Sequence, residues 1–347
     1  MFLYDTRVTN RLFIIQVFES QGFWESEQSA RSSILECVWR SRSPGTIRNY
    51  CYALRKFFEY LVLASKDLIL PIDAFSAGSY LSYLKESGAK LGAIKSAFNA
   101  MKWAHNFVPG ISQYNDPLDE KFVKRVYECA LRTVVPVRNM KAPLSKDIIK
   151  GIFDNLSPLA TLKEVRDASI ICLAFSLLLR HDEVSHLSCS HISSLGNGFK
   201  IKIISSKTDK LRAGRDVFLA KTEGTYSTFN LFSRYLSLAK LSLGQNHFVF
   251  GPLVSDTEKG CHVLNQKLSY SSYRLILKST LESVGVDSKL FGFHSCRSGG
   301  ATDLASSVTP YELMTAGRWK DQRSLAHYVD IPQSRRLEWS KELQSDI

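Results

Sequence analysis

The sequence predicts a mainly helical protein with a small β-sheet, an α+β fold, built as two domains joined by a linker. Three observations carry this. Between residues 28 and 133 apolar residues recur at helical spacing, with no alternating run. Further on, FKIKII at 199–204 and RDVFLA at 215–220 alternate as paired strands do, with a polar loop of Lys, Thr, Asp, Gly and Arg between them. Between these regions VVPVRNMKAPLS, residues 134–145, mixes prolines with basic residues and has no period, which marks a linker.

Taken in order, residues 1–27 are an ambiguous lead segment, and residues 28–40 read as helical. Ser43 then stands where an N-cap belongs and Pro44 in the first turn, where its missing N–H costs nothing. Ile47, Tyr50, Leu54, Phe57, Phe58 and Leu61 follow at helical spacing and give one face to bury. Similar patterns span Ile72 to Ser87, Leu91 to Asn106 and Asp119 to Arg132, so the first domain is expected to be all helical.

After the linker, Ser145 caps a helix over 146–156. A second helix over 162–179 contains DASIICLAFSLLL, too apolar to lie anywhere but deep in a core. Arg180 emerges at its end, where a long cationic side chain can leave the core. The 199–204 and 215–220 strands form a hairpin. His294 and Arg297, three residues apart, share a helical face. Near the C-terminus RRLEWSKELQ, with Leu337, Trp339 and Leu343, reads as a short helix.

Composition narrows the function classes. The 347 residues carry a formal charge of +12, which favours a polyanionic partner. Seven cysteines, at 37, 51, 129, 172, 189, 261 and 296, are odd in number and make no C-x-x-C, as expected of reduced thiols in an intracellular protein. The apolar stretch LFIIQVF at 12–18 is too short for a membrane span and lacks a cleavage context, so neither a signal peptide nor a membrane anchor is expected. His181, His186 and His191 recur every five residues, which does not match ligand spacing on a helix face, and no cysteine or carboxylate set completes a site; no metal is expected.

The residues that carry chemistry are Arg180, His294, Arg297, Trp319 and Tyr328, in that order along the chain. A phosphodiester under attack gathers negative charge on its non-bridging oxygens, and arginine's planar fork, permanently charged, donates to such oxygens in pairs. A tyrosine hydroxyl, with an ordinary pKa of about 10, attacks well only where its proton is taken or its phenolate stabilised. Two arginines, a histidine and a late tyrosine therefore point to covalent DNA strand transfer through tyrosine. For Trp319 and Tyr328 the plain alternative is aromatic packing, and for Arg180 an ion pair with Glu183.

The same residues resemble the tyrosine recombinase (phage integrase) family over most of the chain. Arg180 and Glu183 match its Arg-x-x-Glu, His294 and Arg297 its His-x-x-Arg, Trp319 its His-or-Trp position, and Tyr328, nine residues later, its nucleophile. Lys207 matches its hairpin lysine, with Lys210 as the alternative, and an amine there would protonate the departing 5′ oxygen. Trp319, unlike histidine, donates one hydrogen bond and shuttles no proton, which leaves proton transfer to His294 and Lys207. Gly299 and Gly300 depart from a good helix sequence, each costing about 1 kcal/mol against alanine, and close helix packing is the expected reason.

What the resemblance implies is a site-specific DNA recombinase or integrase. It implies a core-binding domain over 28–133, a linker over 134–145, and a catalytic domain over 146–347 whose terminal helix docks on a neighbour. SPGTIRNYCYALRKFFEYL resembles the first strong helix of the core-binding domain and would place Arg48 and Arg55 near phosphates, though either can equally be a solvated charge. The implied partner is double-stranded DNA held by a homotetramer on two sites. No nucleotide is implied as cofactor, since the covalent link conserves the bond energy, and no metal, since the arginines supply the positive charge. Two alternatives share these residues: a type IB topoisomerase-like enzyme that relaxes DNA, and a domesticated DNA-binding protein without catalysis. Were Tyr328 not the nucleophile, Tyr311 would be the next candidate.

Overall fold

Ser43 caps the first long helix in the computed structural model: its hydroxyl accepts the Thr46 N–H at 3.2 Å, and α1 runs from Pro44 to Leu63. The residues described are 33, 36–37, 39–66, 72–105, 116–135, 141–204, 214–256, 260–326, 328–329, 333–342 and 344, without the side chains of 333–336 and 340. The lead segment 1–27 therefore lies outside the described residues, as does most of the helix expected over 28–40, of which residues 33, 36–37 and 39–40 are helical. The chain divides into two compact units, 1–139 and 140–347.

The regular elements of the first unit are all helical among its described residues. Besides α1 it contains α2 (Ala74–Glu86), α3 (Leu91–His105) and α4 (Lys121–Thr133). Asp73 caps α2 by accepting the Ser76 N–H at 2.8 Å. The α1 stripe buries Ile47, Leu54, Phe57, Phe58 and Leu61, and α1 packs on α3 while α2 packs on α4. Leu54, Phe57, Phe58, Leu81, Ile94 and Met101 are all but inaccessible, and each such side chain contributes about 1.5–3 kcal/mol relative to exposure.

The second unit is assembled round α6 (Leu162–Ser176), in which every residue from Val165 to Phe175 is buried. Thr161 and Glu164 close a reciprocal capping box at its start. Before it comes α5 (Lys146–Asp154), capped by Ser145; after it comes the short α7 (His181–Ser185). An antiparallel sheet follows in the order β1 (Ile192–Leu195), β2 (Gly198–Ile203), β3 (Arg215–Ala220). Ile201 pairs with Ile192 on one side and Val217 on the other, and Phe199, Ile201, Ile203, Val217 and Leu219 face the core, as the alternation predicts. Then come α8 (Thr228–Leu238), the hairpin of β4 (Leu253–Asp256) with β5 (Gly260–Val263), α9 (Tyr270–Ser283), α10 (His294–Leu304), α11 (Pro310–Gly317), α12 (Gln322–Ala326) and α13 (Gln333–Glu342). The sequence did not announce β1, β4 and β5. Each is four residues long, too short for a period to stand out, and pairing through backbone groups defines them.

The end of the segment expected to be a linker belongs to the second unit. Ala142 N–H donates to Leu290 O at 2.9 Å, Leu144 N–H to Ser295 O at 3.0 Å, and Leu144 lies in the core. The two glycines of α10 explain how that strap fits. A Cβ on Gly299 would stand 2.0 Å from Leu144 O, and one on Gly300 2.3 Å from Phe175 O, so α10 meets the strap on one side and α6 on the other at backbone distance. Among the described residues no helix is long and apolar enough to cross a membrane.

Candidate active site

Two helix ends build the site. At the end of α6 the chain leaves through a Schellman turn: Leu178 N–H donates to Phe175 O at 3.3 Å, Leu179 N–H to Ala174 O at 2.9 Å, and Leu178 lies left-handed at φ 51°. At the end of α11 the turn repeats, with Arg318 N–H on Thr315 O at 3.1 Å, Trp319 N–H on Met314 O at 2.9 Å, and Arg318 at φ 59°. The first turn delivers Arg180 two residues on; the second delivers Trp319. Gly317 closes α11 because the indole lies over it, so near that a Cβ would sit 1.7 Å from Trp319 Cζ3.

Helix carbonyl ends carry partial negative charge, and here two buried arginines answer it. Arg297, fully buried on α10, donates through Nη1 to Leu178 O and through Nη2 to Gly317 O, one acceptor from each turn, while its Nε has no partner. Arg318 donates to Leu177 O at 3.3 Å, Leu178 O at 2.9 Å and Ala316 O at 3.1 Å. Arg318 was not anticipated from the sequence. An arginine directly before Trp319 is the one signal it leaves, and no spacing rule marks it.

Glu183 ties the arginines together. Its carboxylate accepts Arg180 N–H at 2.9 Å and Arg180 Nη1 at 2.8 Å, and it accepts Arg318 Nη2 at 2.8 Å, with Arg297 Nη1 3.9 Å away. The Arg180–Glu183 ion pair raised as a plain alternative is thus present, as part of a larger cluster. Burial disfavours the charged carboxylate, but Arg318, the Arg180 N–H, and the Arg180 and Arg297 charges outweigh it and hold Glu183 below the usual carboxyl range. Burial, then repulsion from Arg180, pushes Arg297 down from the guanidinium value, with Glu183 opposing; burial lowers Arg318 too, against the pull of Glu183.

The aromatic half of the site lies beside Arg297. Its guanidinium carbon stands 4.4 Å from the Trp319 ring centre and 5.1 Å from that of Tyr328. The Tyr328 ring is 4.9 Å from the His294 ring and 5.0 Å from the Trp319 ring. Tyr328 N–H donates to Leu325 O at 2.8 Å, and its carbonyl accepts Thr302 Oγ1 at 3.3 Å, so the backbone beneath the hydroxyl is held. Trp319 is 5% exposed and its buried Nε1 has no hydrogen-bond partner. His294 keeps solvent access at the head of α10; even so, the protein packed round it, then the charges of Arg297 and Arg180, hold its pKa below the ordinary imidazole value. Neutral imidazole beside a tyrosine, three arginines within one cluster and an unused indole donor can take a proton and stabilise an anion.

The other anticipated residues fall elsewhere. Lys207 and Lys210 lie outside the described residues, between the described strands of their hairpin. On α1, Arg48 is exposed, whereas the Arg55 side chain is 13% exposed and paired with Glu59 at 3.5 Å. Tyr311 is 80% exposed on α11.

Comparison with known proteins gives one consistent result. The model of the phage integrase family matches residues 143–335. An integrase/recombinase xerD homolog of Selenomonas ruminantium is 23% identical over 266 residues, 75% of this chain and 74% of that protein. In fold, the chain is similar to the XerH site-specific recombinase bound to a palindromic difH substrate in a post-cleavage complex, with TM-score 0.59 and 16% identity over 86% of this chain and 80% of that one. It is also similar to a lambda integrase dimer bound to a core site, with TM-score 0.57 and 12% identity over 86% of this chain and 93% of that one.

Proposed function

The chain belongs to the phage integrase family and is a tyrosine site-specific recombinase, and we propose that Tyr328 is the residue that takes DNA into covalent linkage. The observation that carries this reading is the placement of the Tyr328 ring against His294 and Arg297 of α10 and against Trp319 from the turn after α11.

Duplex DNA is the substrate. The Tyr328 hydroxyl attacks the scissile phosphorus and its proton passes to neutral His294. The new bond joins the tyrosine oxygen to phosphorus, leaving a 3′-phosphotyrosine, as the bond from phosphorus to the 5′ oxygen breaks. Lys207 is the proposed proton donor to that oxygen, with Lys210 as its alternative. A 5′ hydroxyl from a partner strand reverses the sequence and releases the tyrosine with the strands exchanged. No bond energy is lost to water, so no nucleotide is consumed.

Arg180 and Arg297 supply the positive charge that the phosphate oxygens need, and Trp319 Nε1 donates one hydrogen bond to them. Arg297 uses two of its five N–H donors on backbone carbonyls, and its Nε and the second hydrogens of Nη1 and Nη2 suffice for a phosphate. Tyr328 and Trp319 cover it, so movement of the tyrosine onto phosphorus would open the guanidinium to the same group. Glu183 holds Arg180 in place.

By family resemblance, residues 28–133 form the core-binding domain, 134–145 the linker and 146–347 the catalytic domain. Arg48 and Arg55 contact phosphates, Arg55 after parting from Glu59, and four copies act on two duplexes in the compartment that holds the DNA. The test uses a pool of random-sequence duplexes, each nicked within the random region so that a short 5′-hydroxyl fragment escapes and the adduct accumulates. In excess EDTA the wild type should yield protein-linked DNA, protease-sensitive at the 3′ end, and Tyr328→Phe should yield none while binding duplex with nearly unchanged affinity. An undiminished adduct in Tyr328→Phe moves the nucleophile elsewhere, with Tyr311 next in line; cleavage lost on chelation, restored by Mg²⁺ and free of adduct, ends the tyrosine mechanism.

A further inference from the structure

Arg318 occupies a position that backbone energetics assign to glycine. It is the left-handed residue of the Schellman turn after α11, at φ 59° and ψ 38°, where a Cβ crowds the backbone and glycine does not. The described residues include six such turns. Gly88 and Gly285 fill two of them; Ser65 and Lys240 fill two more, with side chains exposed to water. Leu178 and Arg318 are the buried pair, at 3% and 5% exposure. Leu178 fills the apolar pocket round Trp319 and Leu325, an ordinary reason for a large side chain. Arg318 has no such reason. It carries a charge into the interior and leaves Nε without a partner there, so backbone strain and desolvation both oppose it.

What the guanidinium reaches supplies the reason. Arg318 Nη2 holds Glu183 Oε2 at 2.8 Å, whereas Arg297 Nη1 stands 3.9 Å from the same oxygen. Arg180 holds the other oxygen at 2.8 Å. Three arginines against one glutamate leave the cluster a net charge of 3 − 1 = +2; without Arg318 it would be +1, and Glu183 would draw on Arg180 and Arg297, the two arginines read as phosphate ligands. The same side chain donates to Leu177 O and Leu178 O, so it also binds the α6 turn that delivers Arg180 to the α11 turn that delivers Trp319.

On the reading of this cluster as the scissile-phosphate site, we infer that Arg318 is a positioning residue for strand cleavage, taking up the charge of Glu183 so that Arg180 and Arg297 present theirs to the phosphate. It does not touch DNA. Its effect should therefore be felt in the chemical step and scale with the charge on the phosphate, which gathers on the equatorial oxygens as the bond to tyrosine forms.

The experiment uses the full chain with Arg318→Gly and Arg318→Lys. Glycine suits the left-handed turn, so the first variant relieves backbone strain while removing the charge; lysine keeps the charge and most of the stem. The probe is a nicked duplex of the sequence recovered from wild-type adducts, made with either a phosphodiester or a neutral methylphosphonate at the scissile position. Single-turnover adduct formation is followed at saturating protein, with duplex affinity and thermal melting measured alongside. Arg318→Gly should slow cleavage of the phosphodiester by about 10²-fold, the scale for losing one preorganised charge, and cleavage of the methylphosphonate by less than about tenfold, with duplex affinity nearly unchanged. Arg318→Lys should recover at least about tenfold of the loss on the phosphodiester. Equal losses on both substrates, or no loss on either, overturn the inference, as does a lysine variant no faster than the glycine one. If Arg318→Gly melts before the assay temperature, Arg318→Asn, which also suits the left-handed turn and carries no charge, takes its place in the same comparison of substrates. Failure of the wild type to form any adduct overturns the reading of the site itself and this inference with it, a result distinct from a wild type that cleaves beside a glycine variant that cleaves equally well.

Discussion

His294 shows what a single side chain gains from its surroundings. The protein round it and the charges of Arg297 and Arg180 disfavour imidazolium, so its folded-state pKa lies below the ordinary value of about 6.5 and the ring is neutral at pH 7. A depressed pKa means that protonation, and with it loss of the proton acceptor proposed for Tyr328, comes only as the pH falls beneath the ordinary imidazole range. Adduct formation in single turnover should therefore hold its rate down to about pH 6.5 and decline below it. His294→Gln should remove that acid limb and slow cleavage by about 10²-fold or more. A wild-type acid limb centred above the ordinary imidazole value would mean that another group, or a charged His294, controls the step.

At the scale of elements, the site depends on how closely α10 approaches its neighbours. Its two glycines weaken it as an isolated helix, by about 1 kcal/mol each, yet they let Leu144 and Phe175 carbonyls come to where a Cβ would be. That approach is what brings Arg297 within reach of Leu178 O and Gly317 O. Gly300→Ala would gain helix propensity and lose this fit; since the atom in the way is a backbone carbonyl, which cannot swing aside, the loss should win. A net destabilisation of about 1–3 kcal/mol in chemical denaturation is expected, with slower cleavage because Arg297 is displaced. An alanine variant as stable as the wild type would show that the helices need not lie so close.

For the whole molecule, the formal charge of +12 sets a testable binding property. If six or more phosphates are neutralised, the dissociation constant for duplex DNA should weaken by about 10³ or more between 50 and 200 mM salt. A flat response would leave the basic balance without a role in binding. The buried part of that charge behaves differently from the rest: Arg318 is spent on helix ends and Glu183, and Arg297 partly on helix ends, and interior charges are screened little by salt. Exposed basic residues such as Arg48 are the ones expected to produce the slope.

By itself the sequence determined the fold class, the helical stripe of α1, the caps at Ser43 and Ser145, the alternation of β2 and β3, and the chemistry to which Arg180, His294, Arg297, Trp319 and Tyr328 point. These are legible because capping, period and motif order are properties of residues a few positions apart. The tertiary structure alone decided that Arg297 is spent partly on two helix ends, that Glu183 is shared among arginines, and that Arg318 belongs to the cluster. Those contacts join residues 119 positions apart in Arg297 to Leu178, and 135 apart in Arg318 to Glu183. No local pattern encodes them: a buried charge takes its partners from whatever elements the packing brings near, and the cost of leaving it unpaired appears only once water has been excluded.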